Sequence, residues 1–288
     1  AFKKELSGLK GVPINQIFVG NGSDEAIDLL FRAFCEPGED KSYIFPPTYG
    51  MYEVSANINN VETVKINLKT DFQIPECSAV LKQIDSKGLL FICSPNNPTG
   101  NIYALKTIAA IASGFKGLVV VDEAYIDFSN TASAISLLEE LPNIVVLQTM
   151  SKAYGVAGLR LGMAFANEQI ITVLNKIKPP YNVNTLSQVE GLKILQNRKK
   201  VLEQIDLLNS EKTVLVELLK QIPSVKKVYP SEANFLLVEF KDSDKIFTIL
   251  RLKGIIIRNR TAQIKNCLRI TIGSPEQNKV LINAIKEI

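Results

Sequence analysis

Lys152 lies in the stretch Thr149-Met150-Ser151-Lys152-Ala153-Tyr154-Gly155, just beyond an apolar run, with Gly158-Leu159-Arg160 following. An amine flanked by hydroxyls and an arginine suits a nucleophile beside a phosphate site; a solvated surface lysine is the plain alternative. Asp122 closes a second apolar run, Leu118–Val121, and opens Asp122-Glu123-Ala124-Tyr125. A carboxylate at the end of a buried strand needs a cation or donors, although it would serve equally as a cap for the next segment. Asn97 stands in Ser94-Pro95-Asn96-Asn97-Pro98-Thr99-Gly100, where prolines and a glycine pin a turn and present an amide that both donates and accepts. Taken alone, that stretch is a turn and no more.

Together, an amine, a carboxylate and an amide at neighbouring strand ends are what pyridoxal 5'-phosphate requires. Lys152 would form the Schiff base, and Asp122 would keep the pyridine nitrogen protonated so that the ring acts as an electron sink. Asn97 and Tyr125 would hydrogen-bond the phenolate oxygen. Gly22-Ser23-Asp24-Glu25 opens a helix, whose first backbone N–H groups would hold the phosphate at the positive end of the helix dipole. Within it, the amides of Ser23 and Asp24 are assigned to the phosphate and the Asp24 carboxylate to helix capping. Thr149, Ser151 and Arg160 would supply the remaining donors and charge. Tyr49, in Pro46-Pro47-Thr48-Tyr49, would stack flat on the ring or else pack into the core.

These loops need a frame that brings strand ends together. From about residue 17 short apolar runs alternate with amphipathic stretches, the pattern of parallel strands joined by helices. Strands are expected at Ile17–Val19, Tyr43–Phe45, Leu89–Cys93, Leu118–Val121 and Ile144–Leu147. Ile27, Leu30, Phe31 and Phe34 fall on one helical face. The fold class is therefore α/β, with a mainly parallel central sheet and helices on both faces, and open sheets of this kind bind ligands at the carboxyl ends of their strands. The pattern breaks around Lys178-Pro179-Pro180, and a long charged helix runs from about Val201 to Lys220. Residues 1–198 are expected to form the large cofactor-binding domain and 199–288 a smaller α+β domain. Its strands are expected at Asn234–Phe240, Ile255–Arg258 and Cys267–Ile272, and its helices at Asp244–Leu252 and Pro275–Ile288.

Composition narrows the chemistry further. The 288 residues are 46% hydrophobic and 22% charged, which excludes disordered and collagen-like classes. The net charge of +4 is spread without a basic block, so neither nucleic acid nor an anionic membrane is signalled as a partner. Cys35, Cys77, Cys93 and Cys267 lie far apart, signalling no metal site and no disulfide framework, as in a cytoplasmic protein. No apolar run is long enough to span a bilayer. The absence of histidine removes imidazole-based triads and acid–base chemistry, leaving proton transfer to Lys, Tyr, Asp, Glu or a cofactor.

The motifs Gly20-Asn21-Gly22-Ser23-Asp24-Glu25, Pro47-Thr48-Tyr49-Gly50-Met51-Tyr52, Asn96-Asn97-Pro98-Thr99-Gly100, Asp122-Glu123-Ala124-Tyr125, Ser151-Lys152-Ala153-Tyr154-Gly155 and Cys267-Leu268-Arg269-Ile270-Thr271 resemble, in this order, those of fold-type I pyridoxal-phosphate aminotransferases. The resemblance runs over essentially the whole chain and is greatest to the histidinol-phosphate aminotransferase family. It implies a homodimer that interconverts histidinol phosphate and imidazole acetol phosphate, with glutamate and 2-oxoglutarate as the other pair. Lys152, Asp122 and Tyr125 would be its catalytic residues. It also implies that Arg269 holds the acid end of the bound amino compound, the carboxylate of glutamate or the phosphate ester of histidinol phosphate, and that Arg258 is a second arginine on the substrate phosphate. Phosphothreonine decarboxylases and aromatic aminotransferases share much of this motif set. The family carries a segment ahead of the point where Ala1 begins, including a tyrosine that reaches the cofactor phosphate across the dimer. The chain is thus expected to lack that segment, as a piece of a longer protein or as a catalytically impaired form.

Overall fold

The computed structural model describes residues 1–288. Eleven strands run in order: β1 Ile17–Asn21, β2 Lys41–Ile44, β3 Glu62–Lys65, β4 Gly88–Cys93, β5 Leu118–Asp122, β6 Ile144–Thr149, β7 Leu161–Ala166, β8 Val225–Val228, β9 Phe235–Phe240, β10 Arg258–Asn259 and β11 Cys267–Thr271. Ten α-helices accompany them: α1 Phe2–Lys10, α2 Ser23–Phe34, α3 Met51–Ile58, α4 Cys77–Leu81, α5 Leu105–Gly114, α6 Glu168–Ile177, α7 Thr185–Gln196, α8 Arg198–Lys220, α9 Ser243–Leu252 and α10 Pro275–Lys286.

The first seven strands form one sheet in the order β1-β7-β6-β5-β4-β2-β3. All neighbours among β3, β2, β4, β5 and β6 are parallel, and β7 alone runs against the strands on either side. Why the central strands read as unbroken apolar runs is plain from their packing, because a sheet with helices on both faces buries every side chain. Leu90, Ile92, Val119, Val121, Ile144 and Val146 enter one core with α1, α5 and the start of α8. Their alternates Leu89, Phe91, Val120, Val145 and Leu147 enter a second core with α2, α3 and α6. The period-two alternation of strand side chains thus divides one sequence run between two cores.

The remaining strands form an antiparallel sheet, β10-β11-β9-β8. Leu236, Val238, Phe240, Leu268 and Ile270 pack there against α9, α10 and the end of α8. α8 serves both bodies: Val201 and Ile205 belong to a core of the large sheet, whereas Leu215 and Leu219 belong to that of the small one. No helix is long and apolar enough to cross a membrane.

Three strands were invisible to the expected pattern: the edge strands β3 and β8, half polar in sequence, and β7, whose Gly162 and alanines dilute a β signal. The expected strand Ile255–Arg258 is a correction. Only Arg258 and Asn259 pair with β11; the apolar run before them is a connection out of α9, closed by Ile255 N–H donating to the Leu250 carbonyl at 2.9 Å, with Ile256 left 75% exposed.

Gly162 on β7 lets the start of α2 lie against the sheet. A Cβ at this position would come within 2.1 Å of the Gly22 carbonyl carbon and 2.2 Å of the Ser23 nitrogen, contacts that backbone cannot relieve by turning a side chain. Gly162→Ala should therefore lower stability in urea unfolding by about 1–3 kcal/mol, the usual cost of overpacking; an unchanged midpoint would show that α2 can move away freely.

Candidate functional site

A cavity of about 700 Å³ opens at the carboxyl ends of the parallel strands, and its walls include Lys152, Asp122, Tyr125, Asn97, Arg160 and Arg269. Ser23, Asp24, Tyr49, Thr149, Ser151 and Arg258 line it too, so every expected site residue lies in one place although they come from both sheets.

Asp122 is the last residue of β5 and only 2% exposed. It faces no cation within ion-pair distance. Tyr52 Oη donates to its Oδ2 at 2.6 Å and the Ala124 N–H to its Oδ1 at 3.1 Å. Burial pushes its pKa up, against the pull of these two donors. The neighbouring Glu123 turns to the opposite face, where it accepts from Ser133 Oγ at 2.5 Å, the Ala134 N–H at 2.6 Å and Gln148 Nε2 at 2.9 Å. Adjacent carboxylates on one strand end thus do different work: one turns toward the cavity, the other anchors a loop.

Lys152 Nζ makes no hydrogen bond or ion pair and stands 5.3 Å from the centre of the Tyr125 ring. The side chain is open to the cavity, yet the protein around it and the positive charge of Arg269 lower its pKa. Tyr125 is itself buried, and its phenol is pushed up to about 12 by that burial. Asn97 is 7% exposed, and its Oδ1 accepts a hydrogen bond from Arg269 Nη1, tying the turn after β4 to β11 of the other sheet. Arg269 also lies over the Phe235 ring at 4.9 Å.

The opposite end of the cavity is built on the start of α2. Gly22 adopts φ 77°, and a Cβ there would meet Arg160 Nη2 at 2.5 Å, so glycine leaves room for the guanidinium over the helix start. Arg160 follows a short 3-10 turn with φ 50°. Thr149 Oγ1 and Ser151 Oγ are 3.0 Å apart, and the Ser151 N–H donates to Thr149 Oγ1 at 3.1 Å. Glu25 accepts from the Asn21 N–H at 2.6 Å and from Asn182 Nδ2 at 3.0 Å, which fixes this corner to the segment after Pro180.

The capping role expected for the Asp24 carboxylate is not what the structure has. Gly22 is the N-cap and no side chain caps the helix. Asp24 is already inside the first turn, and its carboxylate instead accepts from Tyr49 Oη at 3.1 Å and lies 3.7 Å from Arg160 Nη2. Tyr49 is thereby held by its hydroxyl and packs edge to face on Tyr52 at 5.5 Å.

Sequence reasoning missed Tyr52 and Arg260. Tyr52 is fully buried, stacked on Phe91 at 4.5 Å, and its pairing with Asp122 spans 70 positions, a distance that no local pattern reveals. Arg260 also lines the cavity; its alternation with Arg258 was the available signal.

Matches to known proteins give the family and the fold. The chain belongs to the family of class I and II aminotransferases, whose model matches residues 1–285. Within it, the chain is 51% identical to the histidinol-phosphate aminotransferase of Christiangramia forsetii over 290 aligned residues, covering 99% of this chain and 82% of that relative. Its fold is that of the histidinol-phosphate aminotransferase of Clostridium acetobutylicum, with a TM-score of 0.91 at 23% identity over 99% of this chain and 87% of the other. The enzyme of that name from Sinorhizobium meliloti, solved in complex with pyridoxal-5'-phosphate, gives a TM-score of 0.90 at 21% identity, covering 99% and 80% of the two chains.

A raised carboxyl pKa means that the folded state holds the proton more tightly than the unfolded chain. Stability attached to Asp122 is then lost as pH rises from the ordinary carboxylate range through the raised value. Asp122→Asn should make the cofactor-free protein more stable than wild type at pH 7, with the difference closing toward about pH 4, where the unfolded carboxyl also begins to hold its proton. Urea unfolding at both pH values tests this; a less stable variant at pH 7 would count against it.

Proposed function

We propose that this chain is the aminotransferase that interconverts L-histidinol phosphate and imidazole acetol phosphate, with 2-oxoglutarate and L-glutamate as the other pair, in histidine biosynthesis. The observation that carries this reading is a single cavity with cationic groups at both ends: Arg160 beside the first turn of α2, and Arg258, Arg260 and Arg269 on the small sheet, with Lys152 and Asp122 in the same walls. One cationic end suits the phosphate of pyridoxal 5'-phosphate, and the other suits a substrate that is itself an anion.

The residues present fit that cofactor. Asp122 is a buried carboxylate facing no cation, which a pyridinium nitrogen would supply, and Lys152 is an amine with no competing hydrogen bond. Thr149, Ser151, Arg160 and the amides of Ser23 and Asp24 would hold the phosphate, Asn97 and Tyr125 the phenolic oxygen, and Tyr49 a face of the ring. When bound, the cofactor supplies an electron sink for the pair left behind by the substrate α-proton.

The chain's own groups do the rest. Lys152 Nζ, whose pKa is lowered by its surroundings and by Arg269, gives up its proton more readily than an ordinary lysine and moves the proton away from the substrate carbon. Tyr52 holds Asp122 in place. Arg269 fixes the acid end of the amino compound, the carboxylate of glutamate or the phosphate ester of histidinol phosphate, and Arg258 joins it on the phosphate. We assign residues 1–198 to a cofactor-binding domain and 199–288 to a smaller domain that carries these arginines. We further propose that the enzyme works as a homodimer in the cytoplasm, a compartment that suits four unpaired cysteines.

The visible spectrum of the cofactor-loaded protein tests the reading. It should change on adding L-histidinol phosphate with no keto acid present and recover on adding 2-oxoglutarate. A spectrum indifferent to histidinol phosphate would overturn the substrate assignment. Lys152→Ala should bind cofactor non-covalently and show no multiple turnover; sustained turnover by this variant would remove Lys152 from the role given to it.

A further inference from the structure

Arg258, Arg260 and Arg269 share one face of the small sheet. Arg258 stands directly opposite Arg269 in the β10–β11 pair, and the Arg260 N–H continues the ladder by donating to the Cys267 carbonyl at 3.0 Å. Residues two apart on a strand point to the same side. All three arginines line the cavity that holds Lys152.

None of the three makes an ion pair, although twelve other ion pairs are formed in the protein. Arg269 has one partner in Asn97. The Nε atoms of Arg260 and Arg269 are buried with no hydrogen-bond partner at all. Burial lowers the pKa of Arg260, and the neighbouring charge of Arg258 lowers it further. Arg260 and Arg269 are partly buried beside the exposed Arg258, and partly desolvated like charges without a counter-ion are costly unless an anion joins them; a doubly charged anion offsets more of that cost than a singly charged one.

We infer that Arg260 is the specificity-determining residue for a phosphate monoester, gripping the dianion together with Arg258, while a carboxylate needs only Arg258 and Arg269. The inference rests on the aminotransferase reading of the site. It explains how one pocket can accept two acids of different charge and shape in alternate half-reactions. Arg269 already has a side-chain partner in Asn97 from the turn after β4, whereas Arg260 has none and is free to join Arg258 on the phosphate ester, which sits one carbon from the amine-bearing centre.

The test uses the cofactor-loaded protein, with L-glutamate to drive the spectral change and inorganic phosphate as competitor. In R260Q the competition constant for phosphate should weaken by about tenfold or more, as expected for loss of a charge-assisted hydrogen bond, while the half-saturation for glutamate moves less than about threefold, within the small effects of a substitution that removes no contact to that ligand. R260K, which keeps the charge but not the fork, should fall between wild type and R260Q. Equal weakening of phosphate and glutamate, or no change in either, would overturn the inference. L-histidinol phosphate is titrated in parallel. A wild-type protein that responds to glutamate and to phosphate but ignores histidinol phosphate would refute the substrate reading, and the role of Arg260 would still be decided by the phosphate constants.

Discussion

The structure around the cavity depends on keeping a carboxylate where water is scarce. Asp122 is buried at the end of β5, and only the Tyr52 hydroxyl and one backbone N–H offset the loss of solvent. Leaving an ionised carboxylate without partners costs far more than the roughly 2–7 kcal/mol of a neutral amide or hydroxyl, so the surroundings are arranged to prevent it. Tyr52 is wedged between Phe91 and Tyr49, Phe91 stacks in turn on Phe31 of α2, and Tyr49 is held by Asp24 on the same helix. The chain of contacts runs from a strand end to the helix start at the other end of the cavity. Placement of the two is therefore one problem with one packing solution.

Charge is distributed with similar economy. The large sheet and its helix α2 contribute two carboxylates, Asp122 and Asp24, an amine and one arginine, whereas the small sheet contributes three arginines and no acid to the cavity. The bond between Arg269 and Asn97 joins these two contributions directly. Because a hydrogen bond between a guanidinium and a neutral amide leaves the positive charge uncompensated, it fixes position without spending the attraction that an anionic ligand needs.

Much of this was legible in the sequence. The strands β4, β5 and β6 announced themselves because burial on both faces demands continuous apolar runs, and the chemistry sits where those runs stop, at Asn97, Asp122 and Lys152. What local pattern could not show were pairings between distant segments. Tyr52 stood only as the last residue of a motif, and its function lies in a partner far along the chain. Asp24 read as a cap because an acid near a helix start usually is one, but the true N-cap is Gly22 and the acid serves Tyr49 and Arg160. The triplet Ile255-Ile256-Ile257 looked like a strand because composition cannot tell a paired segment from an unpaired one. β7 was missed for the opposite reason: its small residues, which α2 requires, weaken the signal that marks a strand.

α8 carries a geometric consequence. Its 23 residues are one continuous rod, with Val201 and Ile205 fastened to one core and Leu215 and Leu219 to another. At 3.6 residues per turn each residue advances the helix by about 100°, so the roughly fourteen steps between the middles of the two pairs leave the second apolar stripe turned by only about 40° from the first. Residue count along this helix is thus an angular setting for the small sheet. Adding or removing one residue between the stripes would rotate that sheet by about 100° about the rod and carry its arginines out of register with Lys152, with every side chain of both cores still intact. Sequence length here is a dial, and substitutions within α8 are a far gentler change than any insertion.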